Sequence, residues 1–405
     1  MTLSLAGCMT GTLGPFKEPT DTPVLHESTR MTSTPTTTSI AIPTEDIEWK
    51  ENLDILVQYA VPNIGFGGYW QLPYPFESSN DLLQPSEEIA YCCLVQAPIG
   101  KKYAFIQRYL PDLLDSLWVM NSDGSDARQL RNDESGVSLA PGATEVEPFG
   151  FTADGKYVLA FNGDKILKIS LDNGDVVSLT RPDGVFLEYN DETGILLMVE
   201  VDDPEYTYKT INALYHETTQ YLPAPENYSP VYMAGRHFNR NEVSLSPDGR
   251  FLAISDLDRE KLIERLWIVD IETNTWQAVI ENDAKIAPDN VLWATDQRYI
   301  AWYSVVLDSN SDYYLDLFFI ETEDYQITRS FSIEKVRRPP KILGWIKTVN
   351  GQDRFGIFVP DHGVVLIDPI NALSDINIVS YEVLNKIIPI DPNDINVWRW
   401  ESFTR

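Results

Sequence analysis

The side chains best spaced to hold an ion lie in Leu307-Asp308-Ser-Asn310-Ser-Asp312, with Asp316 close behind. Oxygen-bearing side chains at alternate positions can converge on one hard cation, as they do in calcium loops. Two positions depart from that pattern. Tyr313 stands where the turn glycine belongs, and Phe319 where the closing bidentate Glu belongs. Asp308, Asn310 and Asp312 are thus a calcium-ligand set, with a polar hairpin loop between two strands as the competing reading. The pairs Asp202/Asp203 and Asp256/Asp258 read as loop carboxylates, and nothing beside them makes a general acid or base.

Other chemistries lack their residues. No stretch reads Gly-x-Ser-x-Gly, so the nucleophile elbow of the α/β-hydrolases is missing. The stretch Ile64-Gly-Phe-Gly-Gly-Tyr69 has no Lys-Ser/Thr ending, and Pro73 and Pro75 forbid a following helix, so it reads as a strand bend. His26, His216, His237 and His362 are scattered, and Cys8, Cys92 and Cys93 have no metal-ligand spacing. Cys92 and Cys93 are adjacent. On a strand they would point to opposite faces, so two buried free thiols are expected in place of a disulfide. No catalytic residue is expected, and the chain reads as a non-enzyme.

The totals narrow the partners. There are 61 acidic residues against 31 basic, a formal net charge of −30. Such a surface repels phosphate backbones and argues against nucleic-acid binding. The 20 Tyr and 10 Trp favour strands.

A repeat positions these residues. One unit runs Phe149-Gly-Phe-Thr-Ala-Asp154-Gly155-Lys-Tyr-Val-Leu-Ala-Phe161, then Lys165 to Leu171, a turn at Asp172-Asn-Gly174, then Val176 to Thr180. A second runs Val243-Ser-Leu-Ser-Pro-Asp248-Gly249-Arg-Phe-Leu-Ala-Ile-Ser255, then Arg265 to Ile271, a turn, then Trp276 to Ile280. Looser copies begin near Gly100, Asn190, Val291 and Ile342. Asp-Gly and Asn-Gly supply the positive φ of tight turns, and the runs between them are β-branched and aromatic. A four-stranded sheet cannot bury both faces alone, whereas a ring of such sheets can. The pattern predicts an all-β chain, a β-propeller of four-stranded antiparallel blades, with six blades favoured and seven the alternative. Leu53 to Tyr59 and Ile395 to Phe403 read as strands that meet and close the ring. The charged segment 256–264 reads as a short loop helix, and 371–375 as a helical turn.

Trp118-Val-Met-Asn-Ser-Asp-Gly-Ser-Asp-Ala-Arg-Gln-Leu130 and Ser244-Leu-Ser-Pro-Asp-Gly-Arg-Phe-Leu-Ala253 resemble the WD40-like propeller repeats of the TolB type. The resemblance spans roughly residues 90–381 and implies a six- or seven-bladed propeller without fixing a function.

Leu5-Ala6-Gly7-Cys8 resembles the lipobox of bacterial lipoproteins, in which the cysteine is lipidated. The basic and apolar stretches of a full signal peptide are not in front of it, which reads as a truncated start. From Thr20 to Thr44 the chain is rich in Thr, Ser and Pro, with little to build a core. The expected organisation is a lipobox at 1–8, a tether at 9–45 and a propeller at 46–405. The protein is expected to be monomeric. It would sit in the cell envelope, outside the cytoplasm, held to the membrane through lipid on Cys8 alone. Its loops would recognise protein or glycan; Tyr69, Trp70, Tyr313 and Tyr314 are contact residues if exposed and blade core if not. The alternative function is a hydrolase or lyase at the channel mouth. No cofactor is expected beyond calcium at Asp308, Asn310 and Asp312.

Overall fold

The computed structural model describes residues 54–60, 67–73, 76–98, 101–112, 114–130, 146–162, 165–180, 184–202, 205–212, 217–225, 228, 243–258, 263–283, 290–307, 312–347, 353–372, 375–388 and 397–399. Every described residue belongs to one compact unit, Ile42–Arg405. Cys8 and the lipobox lie outside the described residues.

Strands β1 (Asp54–Ala60), β2 (Gly67–Pro73) and β3 (Asn80–Leu83) come first, then β4 (Ile89–Gln96), β5 (Lys102–Tyr109), β6 (Leu114–Asn121) and β7 (Arg128–Gln129). The next sheet holds β8 (Val146–Phe151), β9 (Tyr157–Asn162), β10 (Lys165–Ser170) and β11 (Val176–Thr180). The following one holds β12 (Val185–Asn190), β13 (Ile195–Asp202), β14 (Glu205–Asn212) and β15 (Glu217–Pro223). Then come β16 (Val243–Leu245), β17 (Phe251–Asp258), β18 (Ile263–Asp270) and β19 (Thr275–Asp283). After them stand β20 (Asn290–Trp293), β21 (Tyr299–Leu307), β22 (Tyr313–Glu321) and β23 (Ile327–Val336). The last four-stranded sheet is β24 (Lys341–Lys347), β25 (Asp353–Val359), β26 (Gly363–Ile367) and β27 (Ile376–Ser380). A short helix α1 (Tyr381–Ile387) and β28 (Val397–Arg399) follow it. All these pairings are antiparallel, and all but β1–β28 and β2–β4 join strands that are neighbours in sequence.

The molecule is therefore an all-β propeller of four-stranded antiparallel blades. The expected count of six, or seven, is corrected. Five blades stand as separate four-stranded sheets among the described residues, and the other strands share one eight-stranded sheet. The cause is local. β28-β1-β2-β3 and β4-β5-β6-β7 are fused where Gly67 pairs with Tyr91. The two chain ends do meet, since Leu56, Val57 and Gln58 pair with Arg399, Trp398 and Val397.

The cores lie between sheets. In β9, Val158 and Ala160 pack with Ala104 and Ile106 of one neighbour, while Leu159 and Phe161 pack with Leu196 and Met198 of the other. The same alternation carries Leu197 and Val199 to Leu252 and Ile254, and Ala253 and Ile268 to Ile300 and Trp302. It continues from Ala301 and Leu317 to Ile357 and Val365, then from Phe358 and Leu366 to Ile55 and Trp70. Leu56 and Tyr69 with Leu94 and Phe105 complete the circuit. Period-two patterning thus gives each blade two apolar faces, one per neighbour.

Two local expectations are overturned. Residues 256–258 and 263–264 are strand, not helix, because β17 and β18 run on as a cross-strand ladder from Phe251↔Asp270 to Asp258↔Ile263. The helix seen is α1, capped by Ser380 accepting from the Val383 N–H. Cys92 and Cys93 form a disulfide, not two free thiols. The strand argument fails because β4 is bulged there: Cys92 pairs with Ile106 and Val95 with Ala104, and Cys93 has a φ of 58°.

Candidate functional site: the turn face and inner strands

In three of the blades the turn after the first strand is built from related chemistry. In Ser246-Pro247-Asp248-Gly249, the Gly249 N–H donates to the Ser246 carbonyl at 2.8 Å, and Gly249 has a φ of 71°. The Asp248 carboxylate accepts from the Ser246 hydroxyl at 2.6 Å and from the Arg250 N–H at 3.0 Å. Thr152-Ala-Asp154-Gly155 repeats this, with Asp154 accepting from Thr152 at 2.6 Å and Lys156 at 3.1 Å. These bonds hold the Asp154 carboxyl below its usual range, the Thr152 hydroxyl most strongly. A third copy has Gln297 in the glycine place, at a φ of 64°.

Successive turns are stitched together. Asn190 donates to the Ser246 and Pro247 carbonyls of the next blade at 3.0 and 3.2 Å. The Tyr189 hydroxyl donates to the Phe151 carbonyl of the preceding blade at 2.8 Å. Asp353 accepts from the Thr295 hydroxyl at 3.0 Å and from the Asp296 N–H at 2.9 Å. Burial pushes the Asp353 carboxyl up to about 6.

The inner strands use side chains to satisfy one another's edges. First strands of neighbouring sheets touch at β4–β8, β12–β16, β16–β20, β20–β24 and β24–β28. An edge strand presents backbone groups that need partners. Glu188 of β12 accepts from the Leu245 N–H at 2.7 Å, and Ser244 of β16 accepts from the Trp293 N–H at 3.2 Å. The Trp345 indole of β24 donates to the Leu292 carbonyl at 3.0 Å. Burial pushes the Glu188 carboxyl up to about 7, against the pull of the Leu245 N–H. Burial also pushes the Lys341 ammonium down.

At the far ends of the middle strands, cross-strand ion pairs lock the blades. Arg265 grips Asp256 through two bonds of 2.9 and 2.8 Å, with both side chains buried. Arg108 holds Asp115 in the same fork, at 2.6 and 2.7 Å. Asp256 is thus a structural carboxylate inside a blade, not the loop carboxylate the sequence suggested.

The other predicted residues are dispersed or unseen. Asp308 and Asn310 lie outside the described residues, as does Asp203. Asp312 is half-buried before β22, and Asp316 within β22 accepts from the Ser332 hydroxyl at 2.6 Å. Among the described residues no group of three or more His, Cys, Asp or Glu could hold a metal ion. Tyr69 and Trp70 are buried blade core, while Tyr313 and Tyr314 are half-buried on β22. Sequence reasoning passed over Glu188, Asp353 and the Lys102–Arg128 surface. The missed signal for Glu188 was a charged residue between aromatics, Phe186-Leu-Glu188-Tyr189, inside a strand.

One depression of about 460 Å³ opens on the β5–β7 edge. Lys102, Asn121, Asp126 and Arg128 supply its polar groups, over Val119 and Met120. The Arg128 guanidinium also donates to the Leu171 carbonyl of the next blade.

No protein-family model matches the chain, and no curated protein does. Solved structures do. A putative TolB from Agrobacterium tumefaciens is 12% identical with a TM-score of 0.39, over 71% of this chain and 91% of that one. An oligogalacturonate lyase from Vibrio parahaemolyticus is 10% identical with a TM-score of 0.40, over 76% and 95%. A chain of a mitotic checkpoint complex is 12% identical with a TM-score of 0.42, over 71% and 80%.

Proposed function

We propose that this protein is a non-catalytic binding or assembly module of the cell envelope, recognising protein or glycan through its loops and turn face. The observation that carries the reading is the commitment of Glu188 and Asp353. These carboxyls, pushed towards neutrality, are bound to a neighbouring blade's backbone or hydroxyl groups. They hold the scaffold, which leaves recognition to the surface, as is usual for loops on a rigid frame. The depression at Lys102 and Arg128 offers cations on a strongly acidic protein, which suits an acidic group on the partner.

The envelope location rests on the lipobox-like Leu5-Ala6-Gly7-Cys8 and the Thr/Ser/Pro-rich segment behind it. The Cys92–Cys93 disulfide fits an oxidising compartment. No described helix is long and apolar enough to cross a membrane. Metabolic labelling with a lipid precursor, with Cys8→Ser as control, tests the anchor.

The decisive experiment is capture from envelope extract by the full chain, beside the double variant Lys102→Glu/Arg128→Glu. A partner retained by the parent and lost by the variant supports recognition at this surface; equal capture by both removes that surface from the reading. Turnover of oligogalacturonate or another acidic glycan by the parent would overturn the non-catalytic assignment.

A further inference from the structure

We propose that Cys92 and Cys93 are a thiol–disulfide exchange site, and that its reduction by a dithiol loosens the seam where β2 meets β4. The inference rests on geometry and is independent of the envelope reading. Cys92 and Cys93 occupy a bulge in β4, on the strand that joins the two halves of the eight-stranded sheet. The join itself is narrow. β2 and β4 share one ladder pair, Gly67↔Tyr91, just before the bulge. Just after Cys93, the Leu94 N–H donates to the Tyr69 hydroxyl of β2 at 3.4 Å. The bulge therefore decides where Leu94 presents its N–H to β2.

The covalent bond is what makes the bulge reasonable. A non-glycine residue at a φ of 58° costs free energy, and Cys offers no side-chain hydrogen bond to offset it as Asn or Asp would. Adjacent side chains on a regular strand point to opposite faces. Joining the two sulfurs requires both on one side, and both residues pack in the same cluster beside Ala104 and Phe151. Without the bond, an extended Cys93 turns to the other face of the sheet, and the packing of Leu94 with Phe105 and Tyr69 is released.

The exchange balances as follows. A dithiol, small or proteinaceous, attacks as its thiolate at Cys93, which is half-buried while Cys92 is buried. The S–S bond breaks, Cys93 enters a mixed disulfide, and the Cys92 sulfur leaves and takes a proton. The second thiolate of the reductant then attacks its own sulfur in the mixed disulfide, freeing Cys93 as a thiol. The two cysteines gain two electrons and two protons, and the reductant closes its own disulfide.

The test uses the native full chain. Thiols are trapped with iodoacetamide before and after dithiothreitol treatment, the peptide carrying Cys92 and Cys93 is read by mass spectrometry, and amide hydrogen exchange is followed in parallel. The expected result is no alkylation on that peptide before treatment and two carbamidomethyl groups after it, in folded protein. Exchange should accelerate at Tyr91, Leu94 and Tyr69, with β21 and β22 unchanged. Cys93→Gly keeps the positive φ available, so its exchange at these positions should not respond to dithiothreitol. Alkylation of both cysteines before treatment overturns the proposal. So does a disulfide reduced only after denaturation, or one reduced in the native state with no change in exchange at the seam. Should Cys93→Gly fail to fold, the parent's trapping and exchange decide alone.

Discussion

The Asp353 carboxylate holds the Thr295 hydroxyl with both of its oxygens, each at 3.0 Å, across the boundary between two blades. A neighbouring N–H, from Asp296, completes the site. Bonds of this kind join sheets that otherwise meet through apolar side chains.

That arrangement makes stability depend on pH. Folding raises Asp353 from 3.8 to about 6 and Glu188 from 4.5 to about 7, burial being the first cause in both. The native state then binds protons more tightly than the unfolded chain. The contribution is fully present below about pH 4 and is lost as pH rises through 6 and 7. It amounts to at most on the order of 3 kcal/mol for each group. Urea midpoints at pH 5 and pH 8 measure it. Repulsion within a chain of net charge −30 acts in the same direction. The informative quantity is therefore the flattening in Glu188→Gln and Asp353→Asn relative to the parent; an unchanged slope in both rejects the assignment.

The Asp256–Arg265 pair should be unforgiving when halved. Arg265→Ala leaves a buried carboxylate without its fork and should cost about 3–5 kcal/mol, whereas replacing both partners by apolar residues should cost far less. Arg298→Ala removes an exposed partner of Asp296 and should cost under about 1 kcal/mol. Equilibrium denaturation of these variants gives the comparison.

Two glycines with positive φ should respond differently to Ala. At Gly363, with a φ of 109°, a Cβ would lie 2.1 Å from the Val379 carbonyl oxygen. At Gly344, with a φ of 93°, it would meet nothing within 4 Å. Gly344→Ala should cost the backbone conformation alone, about 1–2 kcal/mol, and Gly363→Ala clearly more. Melting temperatures should rank the two, and equal losses would show that space is not the deciding factor.

The repeat was legible because its turns have a chemistry of their own. Asp154-Gly155 and Asp248-Gly249 announce a positive φ, and both glycines adopt one, at 65° and 71°. Gln297 does the same work in the third copy, held by its surroundings and not by propensity, which is why that copy read as loose. Fusion of two sheets at Gly67↔Tyr91 depends on one long-range pair, and no local pattern encodes it. The Cys92–Cys93 bond was misread because regular strand geometry was assumed where β4 bulges. Glu188 was invisible for a related reason, since its partner, Leu245, is 57 residues away.

Each blade divides its apolar residues between two neighbours, as Val158 and Leu159 do on opposite faces of β9. The molecule consequently has no single centre whose damage would spread everywhere at once. An overpacked or hollowed layer touches the two sheets that bound it, and the next layer round begins with fresh contacts. Surface loops can therefore diverge one blade at a time, each change judged by its own pair of walls, while the circle as a whole keeps its shape.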